Sequence, residues 1–140
     1  MTIKAATPYL IVNGKSERAF ALYAKAFDAT VELIQRFGDV MGSCPDAMKM
    51  RVMHAELRVG NGVVLMSDGP GDVPGTPSPG PVSIALDFDD EAHARRSFDV
   101  LAATGKTIEP LGYKPWGAVF GIVEDELGFR WMFHCAKKPT

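Results

Sequence analysis

Residues 69–81 of this 140-residue chain read GPGDVPGTPSPGP, and nine of these thirteen positions hold glycine or proline. Proline lacks the N–H that a helix or a central strand requires, and glycine weakens both kinds of element. The composition therefore predicts a linker. It divides the chain at about residue 75 into two segments of similar length.

The first segment has the patterns of one strand, one helix and three further strands. We predict, in order, a strand at 9–12, a helix at 17–27, and strands at 30–36, 51–59 and 63–67. Ser16 is the predicted N-cap of the helix, because its hydroxyl can accept a bond from a first-turn amide. Gly60-Asn61-Gly62 predicts a tight hairpin. The intervening residues 37–49 show no periodicity and are predicted to form a loop.

The second segment repeats this order of elements. We predict a strand at 82–88, a helix at 91–103, and strands at 106–111, 118–124 and 129–135, with a turn at 113–116. Gly105 is expected to end the helix in a left-handed conformation. Asp125 and Gly128 are expected to form the last hairpin turn, with Gly128 at positive φ.

The repeated order predicts an α+β fold of two βαβββ modules in a single domain, at residues 5–68 and 82–136. One helix can cover only one face of a four-stranded sheet. Each module is therefore expected to leave a curved open face, and two modules, paired within or between chains, are expected to enclose a cleft.

Composition and charge exclude several classes of protein. The formal net charge is −2 and no block of like charge occurs, so a nucleic-acid partner is not expected. The apolar runs are too short to cross a bilayer. The amino-terminal residues lack a secretory apolar region, and two cysteines are too few for a disulfide framework, so a cytoplasmic protein is expected.

Several short motifs, taken together, resemble the PhnB-like branch of the vicinal-oxygen-chelate (glyoxalase/bleomycin-resistance) superfamily. They are Pro8-Tyr9-Leu10, Ser16 to Phe20 with Tyr23 and Phe27, Met53 to Leu57, Ser67-Asp68, Trp116-Gly117, Asp125, Gly128 and Trp131. The resemblance covers nearly the whole chain. It implies paired βαβββ modules, a homodimer and a small-molecule ligand.

The best-known members of that superfamily act on a divalent metal held by His, Gln or Glu. Carrying those positions over places Thr7, Ser83 and Met132 where the ligands would lie, and none of them is an imidazole or a carboxylate. We therefore expect no metal or other cofactor. An alternative metal site would use His54 and Glu56 with His134 as a third ligand.

His54 and Glu56 are the predicted catalytic pair. They lie two positions apart on one strand, so both side chains point to the same side of the sheet, opposite the predicted helix-facing residues Ala55 and Leu57. An imidazole beside a carboxylate can act in acid–base chemistry or hold a polar ligand. A purely structural hydrogen-bonded pair fits the same pattern.

Trp116, Tyr9 and Arg58 are the predicted substrate-binding residues. An aromatic ring at a cleft edge can stack on a flat ligand, and a guanidinium attracts an anion. In the alternative interpretation Trp116 closes the end of the sheet and Arg58 is an ordinary solvated charge. Trp131 alternates with Phe129 and Phe133 and is predicted to lie in the core.

Three functions are consistent with the sequence. The first is a metal-free protein that binds a small organic molecule and is capable of His/Glu acid–base chemistry. The second is a divalent-metal lyase or dioxygenase, and the third is a sequestering protein that confers drug resistance by capture without turnover.

Overall fold

The computed structural model describes residues 2–71 and 82–137. The chain divides into two compact units, Met1–Pro74 and Gly75–Thr140. Most of the predicted linker, residues 72–81, lies outside the described residues. In the described part of the chain, no helix is both long and apolar enough to cross a membrane.

The first unit contains a mixed four-stranded sheet with the order β1-β4-β3-β2. Its elements are β1 (Tyr9–Ile11), α1 (Ser16–Phe27), β2 (Thr30–Arg36), α2 (Phe37–Val40), a 3-10 turn (Asp46–Met48), β3 (Val52–Val59) and β4 (Gly62–Ser67). Strand β1 runs parallel to β4, whereas β3 is antiparallel to both β2 and β4. The predicted loop at 37–49 thus contains two short helical turns.

The second unit has the same topology, with the strand order β5-β8-β7-β6. Its elements are β5 (Ile84–Phe88), α3 (Glu91–Thr104), β6 (Lys106–Lys114), β7 (Ala118–Glu124) and β8 (Arg130–Ala136). Strand β5 is parallel to β8, and the other pairs are antiparallel. The predicted α+β fold of two βαβββ modules is confirmed.

Each unit has its own core between one helix and one face of its sheet. In the first unit Tyr23 of α1 and Leu57 of β3 are fully buried, and in the second Leu101 of α3 and Phe133 of β8 are. Trp131 is also fully buried, which confirms its predicted place in the core. Burial of such large apolar side chains is the main contribution to the stability of each unit.

The predicted alternation along β3 is confirmed at residues 54–58 but wrong at its start. Simple alternation from His54 would place Val52 on the same open face, yet Val52 is fully buried. The reason is a bulge: Gln35 pairs with His54 and Arg36 pairs with Val52, so Met53 is an extra residue on β3. The bulge turns Val52 towards the core while His54 keeps its open-face position.

The predicted N-cap of α1 is also wrong. Ser16 is the first helical residue, its hydroxyl is buried without a hydrogen-bond partner, and Lys15 occupies the N-cap position. The Ser16 amide instead donates to Oδ1 of Asp68 at 2.9 Å. The carboxylate of Asp68, which follows β4, therefore replaces the predicted serine cap. Its negative charge also interacts favourably with the positive end of the helix dipole.

Asp68 joins four segments of the first unit. Its other carboxylate oxygen accepts from the Val52 amide at 2.7 Å, and its own amide donates to the Val52 carbonyl at 2.8 Å. Its carbonyl accepts from the Gly14 amide at 3.0 Å and from the Arg51 guanidinium at 2.9 Å. Asp68 thereby fixes the starts of α1 and β3 against the end of β4.

In the second unit, the predicted conformation of Gly105 is wrong and that of Gly128 is confirmed. Gly105 has a φ of −112°, and a Cβ on it would clash with the Glu124 carbonyl oxygen, so close approach rather than a left-handed turn requires glycine. Gly128 has a φ of +92°, and Asp125 accepts bonds from the Leu127 and Phe129 amides as the turn prediction implies.

Strand β6 is longer than predicted. It continues through Tyr113 and Lys114, which pair with Val119 and Ala118, so the predicted turn at 113–116 is displaced to residues 115–117. The register shifts between Glu109 and Gly112. That irregularity accommodates Pro110, which has no amide hydrogen and is tolerated in an edge strand.

We predict that Asp68→Asn destabilises the chain by about 1–3 kcal/mol, because the amide leaves one buried main-chain N–H without an acceptor. Urea denaturation followed by circular dichroism measures this. Asp46→Asn is the matched control, since Asp46 is 94% exposed and its partner Lys49 lies three residues away. Equal midpoints for the two variants would contradict the role given to Asp68.

Candidate functional site

The open face of the first sheet carries four of the predicted site residues: Tyr9, His54, Glu56 and Arg58. The register aligns Tyr9 of β1, Leu65 of β4, Glu56 of β3 and Leu33 of β2 in one row across the sheet. His54 lies two residues from Glu56 along β3, on the same face. Strand pairing thus gathers side chains that are 45 residues apart in sequence.

Tyr9 and His54 are joined by a hydrogen bond of 2.9 Å between the tyrosine hydroxyl and Nδ1 of the imidazole. The two ring centroids are 5.6 Å apart, at an interplanar angle of 37°. Partial burial raises the pKa of Tyr9, which keeps the hydroxyl protonated at neutral pH. The protonated hydroxyl can donate to Nδ1, and the bond fixes the orientation of the ring.

Glu56 faces the other nitrogen of the same imidazole. Its Oε1 lies 3.7 Å from Nε2 of His54, which is beyond direct hydrogen-bond distance. A carboxylate has no hydrogen to donate, so it favours the neutral tautomer with the proton on Nε2, the same tautomer that a bond donated by Tyr9 requires. The open face therefore presents an N–H donor beside a carboxylate acceptor.

The side chains around Tyr9, His54 and Glu56 are mostly apolar. Ile11 is 51% exposed and Leu33 is 38% exposed, and Leu65 is half-buried between their strands. The imidazole of His54 is 24% exposed and the Glu56 side chain is 43% exposed. A small molecule on this face would meet two polar groups flanked by aliphatic side chains, as is usual in ligand sites.

Arg58 lies on the same face but its charge is already compensated. Its Nε and Nη2 contact the two oxygens of Glu32 at 2.6 and 3.4 Å. The hydrogen bond from Arg58, followed by its charge, lowers the pKa of Glu32. The predicted contact of Arg58 with an anion would have to compete with this bidentate pair.

Trp116 is in the second unit, in the turn between β6 and β7. Its side chain is 63% exposed, and its ring meets Phe120 edge to face with centroids 5.7 Å apart. This exposure differs from that of a buried packing plug, which was the alternative interpretation of Trp116. The preceding Tyr113 is separately bonded through its hydroxyl to Glu91.

The structure adds one residue that sequence reasoning missed. Asp87 of β5 lies beside His134 of β8, with 2.9 Å between its Oδ1 and Nδ1 of the imidazole. The strand 82–88 and the residue His134 were both identified from sequence. Only the parallel register of β5 and β8 reveals that they form a pair.

The residues at the superfamily's metal positions do not fit a metal. Thr7 and Ser83 lie just before β1 and β5 rather than within them, and Met132 has a thioether that suits neither a hard nor a borderline ion. Within the described residues of either unit, no group of three His, Cys, Asp or Glu side chains is arranged to hold a metal.

Sequence and structure comparisons agree with this fold. A sequence model of the Glyoxalase/Bleomycin resistance protein/Dioxygenase superfamily matches residues 6–133. The chain belongs to this superfamily. One relative is Protein YjdN of Escherichia coli K12, which is 30% identical to this chain over 145 residues. The match covers 96% of this chain and 97% of YjdN.

Two solved structures are similar over nearly their whole length. Protein PA1353 of Pseudomonas aeruginosa is 34% identical with a TM-score of 0.80, over 97% of this chain and 100% of its own. A PhnB protein of Bacillus cereus is 25% identical with a TM-score of 0.77, over 95% and 100%. The PhnB-like resemblance of the sequence is thereby confirmed.

Tyr9 gives the site a testable pH dependence. The pKa of Tyr9 is raised in the folded state, so the folded protein holds this proton more tightly than the unfolded chain does. The contribution of Tyr9 to the free energy of unfolding is therefore complete below the unfolded pKa of about 10, and it is lost as the pH rises from there through the folded pKa. We predict that the wild type loses more stability than Tyr9→Phe between about pH 9 and pH 11. Urea midpoints at both pH values measure this; parallel losses would show that Tyr9 ionises as in the unfolded chain.

Proposed function

We propose that this superfamily member binds a small organic molecule on the open face of its first sheet, through Tyr9, His54 and Glu56. The observation that carries the proposal is the 2.9 Å bond from the Tyr9 hydroxyl to Nδ1 of His54. It leaves Nε2 as a fixed donor on an exposed face next to a carboxylate. A merely structural pair would instead be expected to bond directly, whereas Nε2 and Glu56 are 3.7 Å apart.

The donor and acceptor indicate which ligand groups are complementary. A carbonyl oxygen can accept from Nε2–H of His54 while a neighbouring N–H or O–H donates to Glu56. A carboxamide or a hydroxy ketone has both groups at adjacent positions. The aliphatic side chains of Ile11, Leu33 and Leu65 would then contact the apolar remainder of the molecule.

The same two groups support acid–base chemistry. Glu56 can take a proton from a carbon next to the ligand's carbonyl, and Nε2–H of His54 can stabilise the oxyanion that forms. Return of the proton to a different atom completes an isomerisation. Tyr9 then acts as a positioning residue, because it touches the imidazole and not the reacting atoms.

We propose that binding is independent of a metal, because Thr7, Ser83 and Met132 offer no suitable ligands. The metal-dependent lyase or dioxygenase alternative would need a different set of residues. A sequestering protein would share the binding step and differ only by lacking turnover. The proposal also includes a homodimer, on the basis of the superfamily resemblance, and a cytoplasmic location, on the basis of composition. Arg58 is proposed as a further ligand contact on the first sheet, and Trp116 as a ligand contact of the second unit.

We predict that benzamide, used as a probe, shifts the imidazole signals of His54 in a proton NMR titration. Glu56→Gln should weaken this binding about fivefold or more, because a hydrogen bond to a charged acceptor is lost. Treatment of the protein with a chelator should leave the affinity unchanged. Methyl benzoate, which cannot donate to Glu56, should bind wild type and Glu56→Gln equally.

Asp46→Asn is the matched control, since it neutralises an exposed carboxylate that is paired with Lys49, and it should leave the benzamide titration of His54 unchanged. Equal benzamide affinity for wild type and Glu56→Gln would refute the proposed site. Loss of binding after chelation would instead favour the metal-dependent alternative.

A further inference from the structure

A row of side chains crosses all four strands of the second sheet on its open face. Phe120 of β7 pairs with Gly112 of β6 on one side and with His134 of β8 on the other, and His134 pairs with Asp87 of β5. Directly opposite residues in a sheet share a face. The row therefore presents bare backbone, an aromatic ring, an imidazole and a carboxylate, in that order.

Asp87 determines what His134 offers to a ligand. An ionised carboxylate only accepts hydrogen bonds, so the 2.9 Å contact places the proton of the neutral imidazole on Nδ1. Nε2 is then an acceptor, and it has no partner among the residues the structure describes. His134 thus has the opposite polarity to His54, whose exposed Nε2 is a donor.

The aromatic part of the row has space above it. No atom of the residues that the structure describes lies within 4 Å of the position that a Cβ of Gly112 would occupy, so the sheet is open next to Phe120. The Trp116 ring stands against Phe120 edge to face, at 5.7 Å between centroids. A flat ring placed over Gly112 would lie beside Phe120, in the row that also contains His134.

Neighbouring residues define the charge and polarity of a suitable molecule. The next row along the same strands contains the apolar residues Ile122, Met132 and Ala85, and at its β6 end Glu109, whose charge is compensated by Lys114. The carboxylate of Asp87 is 85% exposed and would repel an anion. The face is therefore complementary to a neutral aromatic molecule that carries a hydrogen-bond donor.

We propose that this row is a binding site for neutral phenols, in which the phenolic O–H donates to Nε2 of His134 and the ring lies against Trp116 and Phe120. Asp87 is a positioning residue that holds the imidazole as an acceptor. The inference rests on the proposed function only in that this chain binds small organic molecules. It assigns a second site, with different residues and a different ligand class.

Phenol and anisole are matched probes, because anisole retains the ring and oxygen but lacks the O–H. In a ¹H–¹⁵N NMR titration, both should shift the indole N–H of exposed Trp116 and leave that of buried Trp131 in place. Phenol should bind about fivefold more tightly, the difference expected for one hydrogen bond. Benzoate should bind less tightly than either.

Asp87→Asn should reduce phenol binding to the level of anisole without changing the anisole affinity. Trp116→Ala should weaken both ligands by the same factor, and Tyr9→Phe should affect neither. Equal affinity of the wild type for phenol and anisole would overturn the proposal, as would the absence of any Trp116 shift. A normal phenol titration at Trp116, in a protein whose His54 signals do not respond to benzamide, would refute only the first site.

Discussion

The carboxylate of Asp68 is buried at the meeting point of a helix start, a strand start and a strand end. It is only 5% exposed, yet it accepts from the amides of Ser16 and Val52, which are 36 positions apart in sequence. A buried charge is tolerated only where hydrogen bonds replace its hydration. The geometry of β3, and with it the position of His54 two residues after Val52, depends on these two bonds.

The second unit uses a buried carboxylate in a comparable way. Asp125 is 3% exposed, accepts from two amides of its own hairpin and accepts from Nε1–H of Trp131 at 2.8 Å. In each unit, then, an aspartate fixes the strand ends while the helix covers one face.

The opposite face of each sheet is free to carry polar groups. On each sheet it holds one histidine whose Nδ1 has a single partner. Tyr9 is that partner in one unit and Asp87 in the other, so the same fold presents a donor on one sheet and an acceptor on the other.

Periodicity and turn residues were sufficient to predict the order of elements, because each element has a local cause. The bounds of β2 and β7 are as predicted, and the open-face position of His54 and Glu56 follows from simple alternation. What sequence could not provide depends on contacts between distant segments. The bulge at Met53 arises because Arg36 pairs with Val52. The cap of α1 comes from Asp68 rather than Ser16. A glycine is needed at position 105 because Glu124 approaches it closely. Likewise Tyr9 and Asp87 acquire their roles only through the parallel pairing of β1 with β4 and of β5 with β8.

The opposite polarity of the two histidines is the central claim, and long-range ¹H–¹⁵N NMR of the imidazole rings tests it most directly. At a pH where the rings are neutral, the nitrogen shifts should show His54 protonated on Nε2 and His134 protonated on Nδ1. Tyr9→Phe should shift only His54 towards a mixture of tautomers, and Asp87→Asn only His134. The same tautomer at both histidines in the wild type, or no response to either substitution, would contradict the account.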